Sequence, residues 1–229
     1  VAAADNNTGT TQAIVDATNA LDRAVAVASA KAVATNPVSQ ETAVASAKDN
    51  LDKVLADSAS TTDQIIAARD ALKDAVADAL EARNNALNGA DTAISNASQS
   101  TAALDSDVIA AQKALQEAVD SANADTGTTD AVTKATEALN KAISDAQADQ
   151  EAARAAAAAA IAAMTPVSNE ANILAASKSL QDILDNQNAT ANEITNATTA
   201  LTNATAPVSN EQGVQDAQQA LNNVLDDPA

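Results

Sequence analysis

Alanine occupies 64 of the 229 positions, so most of what this chain can bury is one methyl group per residue. Burying an alanine removes far less surface from water than burying a leucine or an aromatic ring, and Phe, Tyr and Trp are all missing. The 46% hydrophobic content therefore overstates the available core, and a thick globular interior is ruled out. Alanine is also the best helix former and permits close helix approach. A narrow seam of Leu, Ile and Val between Ala-rich helices is the packing left open, and the β-branched runs and aromatic alternation that mark strands do not occur.

The same composition removes whole classes of chemistry. There is no His and no Cys, which takes away the usual acid–base groups, the thiol nucleophile and most transition-metal ligands. An enzyme is not expected, and neither are cofactors, a small-molecule substrate or catalytic residues. Twelve basic against thirty-one acidic residues give a net charge of −19, which repels nucleic acid and anionic lipid. The longest apolar run, Ala155 to Met164, is too short for a bilayer span of about 20 residues, so no membrane insertion is expected.

Acidic pairs such as Asp226 with Asp227 and Asp105 with Asp107 read as solvated surface, because a hard cation needs six or more converging oxygens. The stretch from Asp5, Asp-Asn-Asn-Thr-Gly-Thr, reads as a turn or a frayed end rather than a calcium loop. Asn-x-Thr triplets at Asn188 and Asn203 are expected by chance in so Asn- and Thr-rich a chain. Met164 is read as a core filler at a helix end. The opening at Val1 lacks a basic, apolar leader and is what a piece of a longer chain would show.

Internal recurrence carries the organisation. The segment from Thr8, TGTTQAIVDATNALDRAV, returns from Thr126 as TGTTDAVTKATEALNKAI, which sets Ala17, Leu21 and Val25 against Ala135, Leu139 and Ile143 on one helical face. A second element starts at Pro37, Pro166 and Pro207, each followed by Val and a Ser placed to cap a helix, then by a stripe such as Val44, Ala47, Leu51, Val54 and Leu55. Val108 to Val119 is a further copy without the proline. The third element opens at Ser60 and Ala189, where Thr61 with Gln64 and Thr190 with Glu193 fit capping boxes.

These signals predict helices over 11–35, 39–56, 61–97, 106–123, 128–164, 168–185, 190–205 and 209–226, with Gly89 as the weak point of the first long one. Pro207 is expected to stop the helix begun at Thr190. The Ala152 to Ala163 stretch reads as a long linker helix. The predicted fold is all-α: tandem three-helix bundles sharing long continuous linker helices in an elongated rod. Its units are 1–80, 81–146 and 147–205, with 206–229 as an extra C-terminal helix.

The second and third elements together resemble the FIVAR repeats of Gram-positive cell-wall proteins, found in Ebh-type staphylococcal adhesins and lactobacillal surface proteins. The likeness rests chiefly on the A-T-x-x-E-I-x-x-A-x-x-x-L pattern from Ala189 to Leu201 and covers most of the chain beyond Pro37. The family's usual Tyr or Trp near its second helix has no counterpart here. The resemblance implies three-helix bundles in tandem and an extracellular, wall-anchored parent chain, acting as a stalk or adhesive surface. A monomeric spacer that projects an adhesive domain is the expected role. The rival is an adhesin module whose exposed helix face binds a host surface or matrix protein; hot spots normally draw on Trp, Tyr and Arg, and the chain offers only a few Arg, among them Arg23, Arg69, Arg83 and Arg154, which counts against it.

Overall fold

The computed structural model describes residues 11–163 and 171–225. Among these the chain is all-helical, with seven helices: α1 Thr11–Lys31, α2 Thr42–Ala56, α3 Thr62–Gln99, α4 Ser106–Asn123, α5 Thr129–Ala163, α6 Ala171–Asp185 and α7 Ala191–Leu225. After α1, of 21 residues, short helices of 15 to 18 residues alternate with long ones of 35 to 38. No helix is long and apolar enough to cross a membrane among the described residues.

Local chemistry explains most helix starts. Thr61 N–H donates to Gln64 Oε1 at 2.8 Å while Gln64 N–H donates to Thr61 Oγ1 at 3.2 Å, a reciprocal capping box ahead of α3. Thr190 and Glu193 repeat it ahead of α7, at 2.8 and 3.3 Å. Before α4, Asp105 Oδ1 accepts the N–H of Asp107 at 2.9 Å, so this acidic pair serves as a helix cap.

One start and one stop differ from expectation. α2 begins at Thr42 rather than Ser39, and its N-cap residue is Glu41, which makes no side-chain cap bond. The reason is Val38: it is 1% exposed in the core, held by turns in which Val38 N–H bonds Thr35 and Glu41 N–H bonds Val38, so the backbone is committed before the helix can open. α1 ends at Lys31 rather than Thr35, closed by a tighter turn in which Val33 N–H donates to the Ala30 carbonyl at 3.3 Å, ahead of a cis Asn36–Pro37 bond.

The larger correction is Pro207. The helix does not stop there, and no separate helix starts at Ser209: α7 runs unbroken to Leu225. A proline deletes one N–H and crowds the carbonyl four residues back, which can kink a helix without ending it when both flanks favour helix. Met164, Pro166, Ser168, the Asp5 segment and the Asp226–Asp227 pair lie outside the described residues.

The chain divides into two compact units, Val1–Thr92 with Ala114–Thr136, and Ala93–Lys113 with Glu137–Ala229. α3, α4 and α5 each contribute to both. In the first unit Ala26 and Ala30 of α1, Val44 and Leu51 of α2, and Ile65, Ala68 and Leu72 of α3 form one buried cluster with Val38. In the second, Ala153 and Ala157 of α5, Ile173 and Leu180 of α6, and Ile194, Ala197 and Leu201 of α7 form another with Ala189. Each cluster thus takes small residues from one long or N-terminal helix and branched residues from two others, as an Ala-rich composition requires.

Candidate functional site

The most elaborate polar chemistry lies where the short helices end. A helix leaves its last four carbonyls without internal partners and carries partial negative charge there, so a cation aimed at that end is favoured. Each of the three short interior helices receives an arginine from a neighbouring helix. Arg23 of α1 donates to the carbonyls of Ser60 and Asp57, both at 3.3 Å, just past the end of α2. Arg154 of α5 donates to Leu184 at 2.8 Å, Asn186 at 2.9 Å and Gln187 at 3.3 Å, around the end of α6.

Arg83 of α3 serves α4 and is the most enclosed of the set, at 7% exposure. It donates to the carbonyl of Ala122, to that of Pro37 at 2.5 Å, and meets Asp125 Oδ1 at 3.5 Å. The helix end it holds has a left-handed close: Asp125 has φ 60°, Thr126 N–H bonds Ser121, and Asp125 N–H bonds Ala122. This is the Schellman pattern with Asp where Gly is usual. Gly127 follows, and a Cβ there would sit 2.8 Å from the backbone N of Ala122, so no larger residue fits.

Gln150 performs the neutral version of this task. At 5% exposure, its Nε2 donates to the carbonyls of Thr101 at 3.0 Å and Ala189 at 2.8 Å, while its Oε1 accepts Thr101 Oγ1 at 3.0 Å. One side chain of α5 thereby ties the turn before α4 to the turn before α7. Every buried side-chain N or O among the described residues has a partner.

Arg69 completes the inventory, donating to Asp70 at 2.8 Å and to Ser29 Oγ at 3.2 Å. All four arginines therefore bond within the chain. The Ala152–Ala163 stretch buries Ala153 and Ala157 against the second cluster. Among the described residues, no group of three or more Asp or Glu side chains is disposed to hold a metal ion.

Sequence reasoning left Arg83 among the few arginines open to a partner and passed over Gln150, although a signal of their burial was present. Gln150 interrupts the α5 stripe between Ala146 and Ala153, and Arg83 stands on the α3 stripe between Leu72 and Ala90, all of them buried. A long polar side chain on an apolar stripe of alanines has room to lie along the helix and reach a backbone carbonyl.

Comparison with known proteins adds no likeness: no family model, no curated protein and no solved structure matches the chain.

Proposed function

We propose that this chain is a spacer segment from the stalk of a Gram-positive bacterial surface protein, extracellular and anchored to the wall through its parent chain. It is non-enzymatic, monomeric and built as tandem three-helix bundles on the FIVAR pattern. In this reading the units are 1–80, 81–146 and 147–205, with residues 206–225 prolonging the last long helix. Continuous linker helices join the bundles into an elongated rod that holds an adhesive domain away from the wall.

The observation that carries the reading is the alternation of short helices with α3, α5 and α7, each at least 35 residues without a break. A 38-residue helix is about 57 Å long, beyond what a compact domain of this size needs. The polar investment goes into helix ends rather than into a cleft, which suits a load-carrying element more than a binding one. The use of all four arginines inside the chain counts against the rival adhesin module.

Small-angle scattering tests the proposal. A radius of gyration of about 30 Å or more is expected for a rod of this kind, against about 17 Å for a compact chain of the same length. A value near the lower figure would refute the spacer reading.

A further inference from the structure

The segments that open α1 and α5 are copies that differ in exposure. Thr126-Gly127-Thr128-Thr129 repeats Thr8-Gly9-Thr10-Thr11, and Val132, Leu139 and Ile143 stand where Ile14, Leu21 and Val25 stand. In α5 this stripe is shut away from water, with Val132 and Leu139 at 1% and 0% exposure and Ile143 half-buried. In α1, Ile14 is half-buried, but Leu21 is 63% exposed and Val25 60%. A single exposed leucine needs no explanation. A stripe that duplicates a buried one does.

We propose that the N-terminal half of α1 is a docking face for a preceding repeat of this chain's own type, joined in tandem and presenting a short helix like α4. Two observations identify the occupant. In the internal copy, the element that leads into the buried stripe is α4, closed by a turn in which Gly127 admits no side chain. In sequence, Gly9 stands at the equivalent position ahead of α1, with the same flanking threonines. A second copy of the whole chain fits less well, because Val108 and Leu115 of its α4 are already fully buried and each copy carries a charge of −19. The inference rests on the tandem arrangement proposed above.

The test compares the full chain with the same chain extended by an added copy of residues 81–125 ahead of Thr8. Amides of residues 12–25 should exchange at least about tenfold more slowly in the extended chain. Leu21→Asp should abolish that slowing, yet leave the melting temperature of the unextended chain unchanged. Unaltered exchange overturns the inference, whether the added segment is helical or not by circular dichroism. So does a loss of stability from Leu21→Asp in the unextended chain, since the face would then be covered already. Scattering on the same pair separates this from the spacer reading: protection without added length keeps the docking face and removes the rod, and added length without protection does the reverse.

Discussion

One carboxylate oxygen of Glu41 accepts both the backbone N–H and the hydroxyl of Thr129, each at 2.6 Å, across 88 residues of chain. Glu41 sits at the start of α2 and Thr129 is the first residue of α5, so a side chain released from capping its own helix caps another. The position that would complete a capping box in α5 is Ala131, whose N–H bonds Thr128 Oγ1 at 3.3 Å and which has no carboxylate to return. A negative charge at a helix N-terminus adds to the bond itself.

Replacing Glu41 by Ala should lower stability by about 1–2 kcal/mol, and replacing it by Gln by less, because the amide keeps an acceptor. Urea unfolding followed by circular dichroism measures this. A double-mutant cycle with Thr129→Val, which removes the hydroxyl and keeps the backbone N–H, should show a coupling of about 0.5 kcal/mol or more; simple additivity would mean that the hydroxyl bond contributes nothing.

The arginines at the helix ends should rank by geometry. Arg154→Ala should lower stability by about 2 kcal/mol and Arg23→Ala by less, because Arg23 makes two long bonds where Arg154 makes three, two of them below 3 Å. Arg83→Leu should be the most damaging, at about 3 kcal/mol, since it strips the donor from enclosed carbonyls. Arg154→Lys should rescue little, for an ammonium cannot span three carbonyls as a planar guanidinium does. Equal effects for all three alanine or leucine variants would disprove the capping account.

Two glycines should respond in opposite directions. Gly89 lies within α3 and a Cβ there meets nothing within 4 Å, so Gly89→Ala should stabilise by about 0.5–1 kcal/mol. Gly127→Ala should destabilise by about 1–3 kcal/mol through the clash with Ala122. Denaturation midpoints moving the same way for both would contradict this.

Much of the helix plan was legible because alanine, caps and apolar phase agree with one another. α4 spans Ser106–Asn123 as its stripe predicts, and both capping boxes form. The Pro-Val-Ser motif was less transparent: the same three letters form a turn with a buried Val38 in one copy and lie inside α7 in another. Local sequence sets what a proline forbids, but tertiary anchoring decides whether the helix ends. Which carbonyls the arginines cap was illegible for a related reason. Their acceptors are backbone carbonyls between 30 and 46 residues away, which carry no sequence signature.

Pro207 offers a direct check on that point. Because it sits within α7 and supplies no N–H, Pro207→Ala should strengthen the helix locally, by up to about 3 kcal/mol. Amide exchange around residues 203–211 should slow accordingly. No slowing would mean that the helix is interrupted there.

The unbroken course of α3 also sets the chemical ageing of the chain. Asn88-Gly89 is the kind of dipeptide that loses ammonia readily when flexible, by attack of the Gly nitrogen on the Asn side-chain carbonyl. Inside a helix that nitrogen is committed to a carbonyl one turn back and is turned away from the attacking path. Isoaspartate at position 88 would therefore accumulate only as fast as α3 opens, making it a slow covalent clock for how often this helix comes apart.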